Sequence, residues 1–323
     1  MKKYLLILLF LLFSIPLFCK DAADKRYATF SINAPYSAAI YRIDAAPEKG
    51  FNYPYFLMVP DNINKSIKKT LLVETNNTSV RDRDFAEEES ITLSRMGESR
   101  YIVVKELDTP FLMPVFPRPG YAYTHALSRE AILIEAGPLQ RLDLQLSAMI
   151  KDARKRLKKM SIRTSKQVFI MGNSASCQFA NRFVLLHPKL IAAAVCGNTS
   201  VLTMPFEEFG GVALPYAAGV ADLKGITGKN FDLKNYQKVP QFFYRGDVDD
   251  NETLNYKDCF SEVEKTAVMQ TFGSDTNTRW IKYKEVLESF SPNVKVTIYP
   301  GLDHSSKDDE AVKFFKSVLD GKN

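Results

Sequence analysis

Val168-Phe169-Ile170-Met171-Gly172-Asn173-Ser174-Ala175-Ser176 is an apolar run that ends in small residues, and an amphipathic stretch follows it to His187. A short apolar run bounded by turn formers reads as a strand buried on both faces, and the segment 175 to 187 reads as a helix. A strand entering a helix through one sharp turn lifts the apex side chain, Ser174, clear of the sheet. The residues two positions to either side must then be small, because strand and helix nearly touch. Gly172 and Ser176 meet that demand. The helix N-terminus sets the Ala175 amide beside the hydroxyl, where it can bind an oxyanion. Gly-x-Ser alone decides little, since it recurs at Gly97-Glu98-Ser99 with no buried strand before it. The plainer alternative for Ser174 is a structural turn serine, and the strand and helix around it argue against that.

Outward from this turn, short apolar runs alternate with longer amphipathic ones. Candidate strands are 55 to 59, 70 to 74, 111 to 116, 168 to 171, 191 to 196, 241 to 244 and 294 to 299. Helical patterns occupy about 84 to 97, 138 to 158, 175 to 187, 276 to 289 and 308 to 319. Such alternation predicts an α/β fold with a mostly parallel central sheet and helices on both faces. Residues 200 to 238 break the rhythm with Gly210, Gly211, Gly219, Gly225 and Gly228. Two readings of that stretch stay open, a cap insertion over the active-site face and an ordinary long connection. With no repeat or low-complexity linker, residues 25 to 323 read as one domain.

The chain has 323 residues, 46% hydrophobic and 25% charged, which suits a globular domain with a sizeable core and excludes extended disorder. Lys2 and Lys3 precede an apolar run from Tyr4 to Phe18, so residues 1 to 19 read as a secretory signal. No later run approaches the roughly 20 apolar residues of a membrane span. The expected location is therefore outside the cytoplasm: periplasmic, secreted or lipid-anchored at the cell envelope. Cys19 sits where a bacterial lipoprotein carries its acylated cysteine, but Phe18 stands where a small residue is usual, and acylation and removal both stay open. Cys177, Cys196 and Cys259 are scattered and fit neither a disulfide framework nor a zinc site; Cys177 and Cys196 read as small buried residues. The net charge of +6 is modest. Its densest basic run, Lys151 to Lys159, lies toward a helix end, where cations suit the dipole, so no nucleic-acid partner is expected.

A serine nucleophile needs a base, and the chain has three histidines. His304 lies in the loop Pro300-Gly301-Leu302-Asp303-His304, between the strand ending at Tyr299 and the last helix. His187 ends the helix after Ser174, where capping explains it. His125, after a strand end, is expected to border the site and contact substrate. For the acid that orients the base, Arg245-Gly246-Asp247-Val248-Asp249-Asp250 offers three candidates, any of which also suits a solvated turn.

The segment Gly172-Asn173-Ser174-Ala175-Ser176-Cys177-Gln178-Phe179 resembles the Gly-x-Ser-Ala-Gly-Gly-Gln-Phe motif of α/β-hydrolase esterases, in particular the bacterial group related to polyhydroxybutyrate depolymerases and feruloyl esterases. Ser176 and Cys177 stand where that group has two glycines. The resemblance in chain order runs over about residues 50 to 320, with the stretch 200 to 238 carrying little of it, and implies an α/β-hydrolase fold; if 200 to 238 is an insertion, it precedes the strand carrying the acid. It implies a Ser-Asp-His order, and the family's Gly-x-x-Asp spacing points to Asp249, with Asp250 the neighbouring alternative. It also implies a second oxyanion donor from the loop 72 to 79, where Asn76 or Asn77 would serve or simply form an Asx turn. The expected activity is hydrolysis of a small-molecule ester or acyl substrate through an acyl-enzyme, with no cofactor or metal and no membrane contact beyond a lipid on Cys19. A peptidase using the same triad and a catalytically silent binding protein of the envelope are the rival readings.

Overall fold

The computed structural model describes residues 26–31, 36–77 and 80–321. The predicted signal, residues 1 to 19 with Cys19, lies outside the described residues.

In chain order the strands are β1 (Ala28–Ser31), β2 (Ser37–Ile43), β3 (Tyr55–Pro60), β4 (Leu72–Val73), β5 (Phe111–Pro114), β6 (Val168–Asn173), β7 (Ile191–Gly197), β8 (Glu208–Phe209), β9 (Val212–Ala213), β10 (Gln241–Gly246) and β11 (Val294–Tyr299). The helices are α1 (Phe85–Leu107), α2 (Arg129–Ile132), α3 (Leu142–Lys159), α4 (Ala175–Leu186), α5 (Leu223–Thr227), α6 (Leu233–Tyr236), α7 (Glu262–Phe272), α8 (Thr276–Phe290) and α9 (Asp308–Leu319). Among the described residues, one nine-stranded sheet has the order β1-β2-β3-β5-β4-β6-β7-β10-β11. From β5 to β11 every neighbour is parallel, while β1, β2 and β3 form an antiparallel margin.

The strands read as continuous apolar runs because both faces of the sheet are covered. Val168 and Ile170 of β6 pack into the larger core with α3, α4, α7 and α8. Phe169 and Met171, one residue out of phase, join the smaller core with Met96, Val103 and Val104 of α1 and Phe315 of α9. Asp84 caps α1 by accepting from Ala86 N at 2.9 Å. This helix runs ten residues past the expected end at 97, to Leu107, because Val103 and Val104 continue its buried stripe across Gly97. Gly97-Glu98-Ser99 is thus helical, not a turn.

Residues 200 to 238 hold the β8–β9 hairpin and the short α5 and α6. Leu202, Met204, Leu214, Tyr216, Leu223 and Tyr236 from this stretch are buried in the larger core.

The strand order also prepares a site. From β4 the chain passes to β5 on one side, and β6 lies on the other side of β4. The helix after β4 covers one face and the helix after β6 the opposite face, so their loops diverge and leave a crevice at the strand ends, where open α/β sheets bind ligands.

Candidate active site

Ser174 stands at the junction of β6 and α4 with φ 61° and ψ −122°, a conformation that costs a non-glycine residue about 1–3 kcal/mol. Its N–H donates to Gly197 O at 2.9 Å, and its carbonyl accepts from Cys177 N at 3.1 Å and Gln178 N at 3.2 Å, so sheet and helix together hold the strain. A Cβ on Gly172 would lie 2.2 Å from the main-chain carbon and oxygen of Ser176, which makes glycine obligatory there. Ser176 has a use for its side chain. Its Oγ accepts from Asn173 N at 2.9 Å and donates to Glu74 Oε1 at 3.0 Å, tying the turn to the end of β4.

Beneath that tie lies a buried ion network. Arg100 Nη2 donates to Glu74 Oε1 at 3.0 Å and Nη1 to Asp308 Oδ1 at 3.0 Å, fastening α1 and the start of α9 to the turn. A cavity of about 330 Å³ beside the turn is lined by Glu74, Thr75, Asn77, Arg100, Asn173 and Ser176, among others.

Asp249 follows β10, and His304 follows β11. Their loops touch at Gly246, where a Cβ would sit 1.8 Å from Leu302 O. Asn198 Nδ2 donates to Ser305 O at 2.6 Å and to Asn173 Oδ1 at 3.1 Å, joining the histidine loop to the serine turn. His304 Nδ1 lies 3.0 Å from each carboxylate oxygen of Asp249. Asp249 is 5% exposed. It also accepts from Asn251 N at 3.0 Å and from Arg245 Nη1 at 3.0 Å, and Arg245 Nη2 donates to its main-chain oxygen. Burial pushes this carboxyl up, but the hydrogen bonds from His304 and Asn251 and the Arg245 charge outweigh it and hold the carboxyl below its usual value. Asp247 instead accepts from Gly301 N at 2.7 Å, and Asp250 is exposed.

Among the described residues, the polar partner of Ser174 Oγ is Asn251, whose Nδ2 donates to it at 3.2 Å. The same nitrogen lies 3.4 Å from His304 Nε2. Ser174 Oγ and His304 Nε2 are thus both brought within reach of one amide nitrogen. Catalytic hydrogen bonds are often long or unformed without substrate.

Asn76 is buried, its amide spanning Glu88 Oε1 at 2.8 Å, Phe116 O at 2.9 Å and Phe116 N at 3.0 Å, so its side chain staples the ends of β4 and β5. Asn77 Nδ2 donates to Asn173 O at 2.9 Å, which lays the loop after β4 against the serine turn. Ala175 is the first residue of α4, and its amide belongs to the helix end whose N–H groups lack intrahelical acceptors.

The expected substrate contact at His125 needs correction. The residue is 0% exposed and its Nε2 lies 2.6 Å from Phe116 O, so the ring has no free face and acts as a buried strut. His187 lies 2.8 Å from Asp143 Oδ2 at the far end of α4. The three cysteines at 177, 196 and 259 are buried and unbridged. Among the described residues no group of three or more His, Cys, Asp and Glu is arranged to hold a metal ion, and no helix is long and apolar enough to cross a membrane.

Arg245 and Asn251 escaped sequence reasoning. Arg245 had a signal: an arginine inside the apolar strand Gln241-Phe242-Phe243-Tyr244 must find a carboxylate if buried, and Asp249 lies four residues on. Asn251 had none beyond its place in the acidic loop.

No family model matches the sequence, and a search of curated proteins gives no match. Solved structures do resemble the chain. A poly(aspartic acid) hydrolase from Sphingomonas sp. KT-1 superposes with a TM-score of 0.56 at 18% identity, covering 85% of this chain and 97% of that one. A poly(3-hydroxybutyrate) depolymerase from Bordetella parapertussis gives a TM-score of 0.54 at 16% identity, covering 90% of each chain. At such identities the likeness is one of fold.

Proposed function

We propose that this chain, which has the α/β-hydrolase fold, is a serine hydrolase that cleaves carboxylic esters through an acyl-enzyme. Ser174 is the nucleophile, His304 the base and then the acid, Asp249 the orienting carboxylate, and the Ala175 amide an oxyanion donor. The observation that carries this reading is the seat of His304: Nδ1 is held at 3.0 Å by both oxygens of a buried carboxylate, while Nε2 faces the Asn251 amide nitrogen that also touches Ser174 Oγ. An ionised Asp249 accepts hydrogen bonds only, so the ring proton resides on Nδ1 and Nε2 presents its lone pair toward the serine.

In the acylation step Ser174 Oγ attacks the ester carbonyl carbon while its proton passes to His304 Nε2. The tetrahedral oxyanion forms beside the α4 N-terminus, where the Ala175 N–H and the helix dipole favour negative charge. Collapse breaks the bond to the alkoxy group, which leaves with the proton from His304. Water then repeats the sequence on the acyl-enzyme, and His304 returns the proton to Ser174. Asn77, held against Asn173, is the candidate in the loop after β4 for the second donor, through its main-chain amide.

The readings of residues 1 to 19 as an export signal and of the mature chain as an envelope or secreted enzyme stand on the sequence. A panel of p-nitrophenyl esters and p-nitroanilides tests the activity. Turnover of the esters that disappears in Ser174→Ala supports the ester reading; turnover confined to the anilides favours a peptidase, and none at all a silent scaffold.

A further inference from the structure

Asn251 touches every group of the proposed triad. Its main-chain N–H donates to Asp249 Oδ1 at 3.0 Å. Its side-chain nitrogen lies 3.2 Å from Ser174 Oγ and 3.4 Å from His304 Nε2. With Nδ1–H committed to Asp249, Nε2 offers one lone pair, and an amide nitrogen carries two hydrogens. The amide therefore stands as a donor to base and nucleophile together, where the serine proton has to pass. Turned end for end it would still compete, because the amide oxygen would then accept the serine proton in place of His304.

We propose that Asn251 is a resting-state clasp at the reacting atoms, whose amide withholds His304 from Ser174 until substrate turns it aside. The proposal rests on Ser174 being the nucleophile. Opening needs only rotation of the Asn251 side chain, and the main-chain bond to Asp249 Oδ1 stays in place, so the acid remains seated while the clasp opens. Asn251 is only partly buried, and its Oδ1 accepts from the hydroxyl of Tyr256, a residue 38% exposed, at a long 3.5 Å, so rotation gives up one weak contact at the surface. The clasp lowers the fraction of enzyme ready to react, and the net strength of a neutral hydrogen bond sets that effect at about two- to tenfold.

The test is the second-order rate at which a small fluorophosphonate labels the full chain, with the adduct mapped in the wild type first. The clasp predicts labelling about two- to tenfold faster in Asn251→Ala, and a similar gain in kcat/KM for p-nitrophenyl acetate. Asn251→Ser, too short to span both atoms, should show the same gain and serves if the alanine variant folds poorly. Unaccelerated or slower labelling of Ser174, in variants whose unfolding curves match the wild type, overturns the clasp alone. A wild-type adduct at another residue sinks the nucleophile assignment and the clasp with it.

Discussion

Arg245 and His304 share one carboxylate: Arg245 Nη1 donates to Asp249 Oδ2 at 3.0 Å, and His304 Nδ1 lies 3.0 Å from that same oxygen. The arginine is 1% exposed and belongs to β10, so the carboxylate is anchored from the sheet beneath as well as by the imidazole. The pair fixes where the carboxylate points, and it couples the stability of the β10 loop to the site.

Asp249→Asn should lower kcat by about three to four orders of magnitude, because the amide favours the wrong histidine tautomer. It should also cost about 3 kcal/mol of stability, since it strips a buried arginine of its counter-charge. Asp250→Asn, on an exposed side chain, should leave kcat within about twofold and stability within about 0.5 kcal/mol. Steady-state kinetics and urea unfolding of the two variants decide the assignment. A kcat loss in Asp250→Asn alone would move the triad acid by one residue.

Gly172→Ala should prevent the serine turn from forming. Its Cβ would meet main-chain atoms of Ser176 at 2.2 Å and Cys177 N at 2.5 Å, none of which can rotate away. The expected outcome is insoluble protein or a loss of more than about 3 kcal/mol, read from expression yield and urea unfolding. Ser176→Ala removes the tie to Glu74 together with the acceptor of the Asn173 N–H and should cost about 1–3 kcal/mol. A soluble Gly172→Ala protein with wild-type stability would contradict the close packing of strand and helix.

The parts of this architecture that were legible in the sequence are those where local pattern and burial agree. β6 announces itself because a strand covered on both faces must be apolar throughout, whereas β11 is legible from alternation, with Val294 and Val296 buried and Lys295 exposed between them, and α4 and α9 from helical period, as in Ala311, Val312 and Phe315 of α9. The margin strands β1 and β2 carry no such run, since Tyr41 and Arg42 of β2 are only partly buried. Helix α7 was missed although Ser261 and Glu264 form a capping box, a signal readable at that spacing. Within the site, Asp249 was selected by motif spacing, while the residues alone left three acids open. His125 misled because a polar ring after a strand end looks like a site residue until its burial is known. Asn251 was out of reach, for its contacts with both Ser174 and His304 depend on how the loops after β6, β10 and β11 meet.

Asp143 makes stability in acid depend on a site far from the serine. Burial opposes its charge, but hydrogen bonds from Arg141 and His187 prevail and bring the carboxyl down to about 2. An unfolded aspartate titrates near 3.9. The folded value is the lower one, so this contribution is fully present above about pH 4 and is lost as pH falls toward about 2. The difference is worth about 2–3 kcal/mol. Urea unfolding at pH 7, 4 and 3 should show Asp143→Asn less stable at pH 7 and flatter toward acid than the wild type. Parallel declines in the two proteins would contradict it.

The most direct measurement is labelling of the folded wild-type chain with a fluorophosphonate, followed by peptide mapping of the adduct and repetition in His304→Ala. A single adduct on Ser174, formed at least about a hundredfold more slowly when His304 is removed, is the predicted result, because the strained serine depends on that base for its reactivity. An adduct on any other residue, no adduct at all, or labelling of Ser174 that proceeds undiminished without His304 would contradict the account.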